Sequence, residues 1–486
     1  MPRKAIFDSE RTAEMLGWAI YRPKNKVKTV SENELREIAE LENSERLYIV
    51  KRLPELSSAE AELAAEITRR FLESKGKRRE TTLKQEMEEH CRSLNIILDE
   101  RQRQYMPILL HNCVAAAGIL SELLQDENLE EIAVTGTGKA KPIFVFDSSF
   151  GWLATNIYFS SADKVRQVAN AMASHTGRRI TMQKPSLNAV LNDGSRMNAC
   201  IEPAAFTGPT ITIRKFRKSR FTPSNLISLG SVGAEEMALL WMAMQSDCSI
   251  LVCGNTGSGK TTLLNSLLNF VPKNERIVSV EETPEIVVPH PHFVKLSTVD
   301  GIEIGMQELI VNTLRMRPDR VIVGEVREKG EAKAFMDTIL AGQGKGTYAT
   351  FHAQSALEAV ARLRALGILE IDAASIDLIV TQKRWTEKHG ANFLERRALV
   401  EICEPQIVKG GLSLNRLFSA HGFGKKEKGI VRKSSRVNEK ICRTFGLAPD
   451  GIRKEISKRA EFLNKISGKN WGEYLDEING YCNSET

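Results

Sequence analysis

The chain has 486 residues, 42% of them hydrophobic and 27% charged; that length exceeds one domain core, predicts two to three domains, and excludes a disordered chain. Its 68 basic and 61 acidic residues leave a net charge of +7, too weak to argue for nucleic acid binding. Its apolar runs are too short for a signal peptide or a bilayer span, and eight scattered cysteines without a C-x-x-C pair fit a reducing compartment.

Residues 1–101 read as a charged, helical N-terminal extension, with AEAELAAEITRRFLESKG built of strong helix formers and KGKRRETTLKQEMEEH a solvated helix or linker. Residues 102–217 read as an α+β domain. An apolar helical segment, QYMPILLHNCVAAAGILSELLQ, precedes the β-rich runs EEIAVTGT, KPIFVFD and NIYFSS. A helix then runs from the cap Ser161 to Gly177, followed by a hairpin around Asp193-Gly194 and the strand TITIRKF. Residues 218–232, with Pro223, read as an interdomain linker. Residues 233–420 alternate: helix AEEMALLWMAMQS, strand SILVCG, strand IVSVEE, helix GMQELIVNTLRMR, strand RVIVGEV, helix EAKAFMDTILAG, strand GTYATFH. That alternation predicts an α/β fold with a parallel sheet covered by helices. Residues 421–486 read as a basic, helical C-terminal extension opening with KKEKGIVRK.

The chemistry concentrates in 233–420. Gly254-Asn255-Thr256-Gly257-Ser258-Gly259-Lys260-Thr261, followed by Thr262, fits G-x-x-x-x-G-K-[ST] between a buried strand and a helix. The glycines let bare backbone approach phosphate, Lys260 would reach the β and γ oxygens, and the Thr261 hydroxyl would ligate Mg²⁺. In RVIVGEVR, Glu325 ends an apolar strand where ligands bind in such sheets; it would orient the attacking water and influence the metal. Glu281 and Glu282 end another strand and suit Mg²⁺ coordination or water activation. Gly342, Gly344 and Gly346 precede Thr350 and His352 in a loop suited to sensing the γ-phosphate. Arg196, Arg214, Arg317 and Arg327 are candidate cations for the charge of phosphoryl transfer. His290 and His292 alone make an incomplete metal site.

Taken in order, GNTGSGKTT, VSVEETPE, RMRPDRVIVGEVR and AGQGKGTYATFHA, preceded by DGSRMNA and GPTITIRKF, resemble the secretion or traffic ATPases over roughly residues 110–400. These serve type II and type IV secretion, type IV pili and the archaeal swimming filament; the chain is most similar in style to the archaeal and conjugation-type members. The resemblance implies an N-terminal PAS-like domain, a RecA-like ATPase domain and a hexameric ring. It implies ATP and Mg²⁺ as cofactors, Glu325 as the hydrolytic carboxylate and Glu281-Glu282 as the acidic box. His352 would be the family's box histidine, and Arg196 and Arg214 the N-terminal-domain arginines. It also implies a cytoplasmic motor, peripheral at the inner face of the membrane. That motor would act on a multi-spanning platform protein and, indirectly, on pilin-like or secreted substrates, with no nucleic acid. The chain departs from the pattern at Glu282 (usually Asp), Gln343 (usually His) and Glu328-Lys329. Two other classes share parts of this chemistry: a ring-shaped nucleic-acid translocase or helicase, and a nucleotide-gated switch with little turnover.

Overall fold

The computed structural model describes residues 9–74, 82–216, 221–287, 290–298, 304–342, 344–389, 392–421, 425–426 and 435–484. The chain divides into two units, Met1–Lys218 and Ser219–Thr486.

The first unit holds strands β1 (Trp18–Ile20), β2 (Lys26–Glu32), β3 (Arg36–Leu41), β4 (Arg46–Val50), β5 (Leu129–Val134), β6 (Phe144–Asp147), β7 (Gly151–Thr155), β8 (Ile157–Phe159), β9 (Ser186–Val190), β10 (Arg196–Cys200) and β11 (Thr210–Arg214). Nine of them form one sheet in the order β2-β3-β4-β7-β6-β5-β11-β10-β9, and β1 pairs with β8. The hairpin at Asp193-Gly194 joins β9 to β10, and Ser161 caps the helix Ala162–Met172 by accepting the Lys164 N–H at 3.2 Å.

The expectation of a helical N-terminal extension is corrected. Four strands lie between Trp18 and Val50, and three of them extend the nine-stranded sheet. Charge hid them. Six of the seven β2 residues are exposed, so no apolar alternation marks that edge strand. The Arg36 guanidinium is buried against Asp126 at 3.1 Å and against Asp147. Helices do follow, at Ser58–Ser74, Leu83–Ser93 and Glu100–Val114.

The second unit holds β12 (Ile250–Gly254), β13 (Ile277–Glu281), β14 (Phe293–Ser297), β15 (Arg320–Val326), β16 (Gly346–Phe351), β17 (Leu378–His389), β18 (Asn392–Val408), β19 (Gly411–His421) and β20 (Lys425–Lys426). Their order is β14-β13-β15-β16-β12-β17-β18-β19-β20. The first six run parallel and the rest add antiparallel. β12 and β16 are buried along their whole length; β12 reads as an apolar run, whereas β16 carries Thr347 and Thr350 inside the sheet. Parallel order carries the ends of β12, β13, β15, β16 and β17 to one edge.

Within 218–232, Thr222 caps a short helix, Pro223–Ser228, whose Ser224 hydroxyl donates to the Leu463 carbonyl at 2.6 Å. The C-terminal helices Arg436–Phe445, Gly451–Lys465 and Trp471–Ser484 pack into this unit's core. Most of the basic run KKEKGIVRK lies outside the described residues. Among the described residues no helix is long and apolar enough to cross a membrane.

Candidate active site

β12 turns through Asn255–Gly259 into the helix Lys260–Leu267. Gly257 and Gly259 sit at φ values of 71° and 93°, which residues with side chains rarely adopt. Gly254 is required for a different reason. A Cβ there would strike the Gln382 carbonyl oxygen and the Ser258 hydroxyl. Asn255 locks the turn to β17: its Nδ2 donates to the Arg384 carbonyl and its Oδ1 accepts the Arg384 N–H, both at 3.0 Å.

Lys260 is buried, and its Nζ donates to the carbonyls of Gly254 and Asn255, each at 3.3 Å. Thr261 and Thr262 follow in the first helical turn, half-buried. The Ser258 hydroxyl is buried without a hydrogen-bond partner among the described residues. A glycine-built turn at a helix N-terminus, with a buried ammonium beside it, fits a phosphate chain. Magnesium needs few protein ligands when phosphate oxygens supply the rest, so Thr261 with one carboxylate suffices. Among the described residues no cluster of three or more His, Cys, Asp or Glu could hold a metal by itself.

Glu325 lies in the last pleat of β15, where the β15–β16 register breaks between Val323 and Val326. One of its oxygens is hydrogen-bonded and the other faces a histidine. Oε2 accepts from Arg327 Nε at 2.8 Å and Nη2 at 2.5 Å, and Oε1 lies 2.5 Å from His352 Nε2. Burial, then the nearby Lys260 charge, holds the His352 pKa below its ordinary value despite Glu325. Thr350 donates to the Gly324 carbonyl at 2.6 Å, tying β16 to the same bulge.

The two acids after β13 part company. Glu282 is exposed and pairs with Arg327. Glu281 turns inward, where Oε1 accepts the N–H groups of Glu285 at 2.8 Å and Ile286 at 2.9 Å while Oε2 has no partner. Burial pushes its pKa up to about 7, against those two backbone donors. A Cβ on Gly324 would stand 2.9 Å from Glu281 Cγ, so the glycine of the G-E pair makes room for this carboxyl.

Glu328 and Lys329 start a helix: Glu331 Oε2 accepts the N–H of Arg327 at 2.6 Å and of Glu328 at 3.1 Å. Gln343 lies outside the described residues. Arg317 precedes β15 and so sits at the end of that strand remote from Glu325. His290 Nε2 contacts the Pro272 carbonyl at 2.9 Å. Arg196 and Arg214 belong to the first unit, directly opposite each other across β10 and β11.

The structure thus brings Gly254–Thr262, Glu281, Glu282, Glu325, Arg327 and His352 to the carboxyl edge of one sheet. Sequence reasoning missed Gln382 and Arg384. Nothing local marks them, because strand pairing alone brings β17 beside the loop.

A family model described as Type II/IV secretion system protein matches residues 115–415. MJ0781 of Methanocaldococcus jannaschii is 40% identical over 227 residues, covering 44% of this chain but only 31% of that protein. MJ0900 of the same organism is 31% identical over 393 residues, covering 78% of this chain and 69% of that protein. The solved VirB11 ATPase from the Brucella suis type IV secretion system is 26% identical and covers 58% of this chain and 94% of its own, with a TM-score of 0.29. The matched span contains the phosphate loop, the Glu325 strand and His352, and the chain belongs to the type II/IV secretion system protein family, the secretion or traffic ATPases.

Proposed function

We propose that the chain is a Mg²⁺-dependent ATPase that turns nucleotide hydrolysis into mechanical work for secretion or for pilus assembly. The observation that carries this reading is the meeting, at one sheet edge, of a glycine-built phosphate loop with Glu325 held between Arg327 and His352.

Lys260, now folded onto loop carbonyls, would exchange them for phosphate oxygens. Backbone amides of the loop and the helix start would take the remaining phosphate charge. Thr261 and Glu325 would hold Mg²⁺, which neutralises charge on the phosphates. Glu325, held by Arg327 and facing His352, would orient water as the attacking nucleophile. Of the acidic box, Glu282 acts through Arg327, while Glu281 shapes the turn after β13. Arg196 and Arg214 would meet phosphate from the first unit.

In this reading the first unit is PAS-like, the second is RecA-like, and six copies form a ring at the inner face of the membrane. The ring would drive a multi-spanning platform protein and, through it, pilin-like or secreted substrates. These points rest on membership of the family.

Steady-state hydrolysis of Mg·ATP by the full chain tests the proposal. Lys260→Ala is expected to lose ATP binding. Glu325→Gln is expected to bind ATP while turnover falls by about 100-fold or more, as removal of a group acting on a proton predicts. A wild type no faster than these variants overturns the enzyme, and hydrolysis that depends on added DNA would point to a nucleic-acid translocase instead.

A further inference from the structure

Gln382 lies within β17, paired in register with Gly254 at the end of β12. It is almost wholly buried. Its carbonyl oxygen fills the space that a side chain at Gly254 would take, and its Nε2 lies 3.9 Å from where a Cβ on Gly259 would stand. The residue therefore lies against the phosphate loop at Gly254 and faces it at Gly259.

The β17–β18 ladder shifts register between Thr381 and Gln382. Such an irregularity re-aims a side chain. Here the Gln382 Nε2 donates to the Ser231 hydroxyl at 2.9 Å. The Ser231 carbonyl accepts the N–H of Leu399, the residue paired with Gln382 across the ladder, at 2.8 Å. Ser231 is thus held by two cross-strand neighbours. It closes the segment that opens the second unit, which begins at Ser219 and includes the helix Pro223–Ser228. The Ser231 N–H returns to the Leu226 carbonyl at 2.9 Å, which ties Ser231 back to that helix.

The amide is also incompletely satisfied. Gln382 Oε1 is buried with no hydrogen-bond partner among the described residues, and so is the Ser258 hydroxyl inside the loop. A buried acceptor without a donor is costly, and a small shift that supplies one is favoured. The strand beside the loop and the loop itself thus each keep one unsatisfied polar group.

We propose that Gln382 is a positioning residue that transmits occupation of the phosphate loop to Ser231, and so to the segment at the boundary between the two units. Phosphate draws Lys260 and the loop amides inward, Ser258 moves with them, and the Gln382 amide adjusts its grip on Ser231. The inference rests on the ATPase reading above and names the route by which the loop's state leaves the site.

Hydrogen–deuterium exchange on the full chain, with and without a non-hydrolysable ATP analogue and Mg²⁺, tests it. In the wild type, protection is expected both in peptides from 254–262 and in peptides from 222–232. In Ser231→Ala and Gln382→Leu the loop is still protected by nucleotide, while the nucleotide-dependent protection of 222–232 falls by about fivefold, the scale of one hydrogen bond. Ser231→Thr, which keeps the hydroxyl, restores it. The double variant is expected to lose no more than the more affected single variant, as for two ends of one interaction. Loop protection without any change at 222–232 in the wild type, or full protection at 222–232 in both single variants, overturns the proposal. No nucleotide protection of the loop overturns the ATPase reading instead.

Discussion

The Glu281 carboxyl lies behind Gly324, with one oxygen on two backbone amides and the other bare. Its pKa of about 7 stands above the ordinary 4.5, so the native state keeps a proton that the unfolded chain releases on passing 4.5. The stabilisation from this group is complete at low pH and is lost as pH rises through 7. Glu281→Gln, fixed in the neutral form, should therefore gain stability relative to wild type between pH 5 and pH 8. Urea midpoints at the two pH values measure that gain, and a constant difference between the proteins would refute it. Arg327 belongs to the same scale. It carries no contact to the loop that the structure shows, yet it holds Glu325 and Glu282 together. Arg327→Gln should leave the KM for ATP within about threefold and lower kcat at least about tenfold, the pattern of a lost transition-state positioning group. An equal change in both constants would place Arg327 in ground-state binding.

At the scale of elements, the loop and its flanking strands were legible because local rules all point one way. An apolar run marks β12, β-branched and aromatic residues mark β16, glycines mark the turn, and Lys260-Thr261 opens a helix. β2 to β4 were not legible, since an exposed edge strand and a buried ion pair both break the rule that charge means surface. The grip of β17 on the loop was also hidden: Asn255 bonds to Arg384, more than a hundred residues along the chain, and no local pattern encodes that distance. Glycines show the same division. Gly254→Ala should displace the loop, because its Cβ meets a backbone carbonyl of β17; the expected cost is about 1–3 kcal/mol, with loss of ATP binding. Gly480 lies in the helix Trp471–Ser484 with nothing near its would-be Cβ. Gly480→Ala should stabilise by about 0.5–1 kcal/mol, since a mid-helix glycine gives up more backbone freedom on folding. Thermal unfolding of the two variants checks both signs at once.

At the scale of the whole molecule, the tail is where reading by composition and the packed structure differ most. Its charged helices suggest an appendage, yet Val437, Ile441, Ile452, Ile456, Leu463, Ile466, Tyr474 and Ile478 are buried in the core of the second unit. Trp241, fully buried, stacks on Phe270 at 4.8 Å between ring centroids, and the Arg459 guanidinium lies 4.5 Å from its ring. Arg459 itself is buried, satisfied by Glu455 at 2.8 Å and Gln245 at 3.2 Å. Arg436 and Lys440 pair with Asp377, at 3.3 and 2.9 Å, just ahead of β17. Removing the residues after 434 would uncover Trp241 and strand the buried Asp377 without these cations. Each fully buried apolar side chain contributes about 1.5–3 kcal/mol, and a domain's net stability is about 5–15 kcal/mol. The loss of so many exceeds that margin. The truncated chain should therefore aggregate or bind hydrophobic dye, with the second unit unfolded and ATP binding gone, although no residue of the phosphate loop has been touched. Arg459→Met, which keeps much of the volume but gives up the charge, should be far milder, because the aromatic rings around it still pack. A truncated chain that stays folded and binds ATP would show that the tail is an appendage after all.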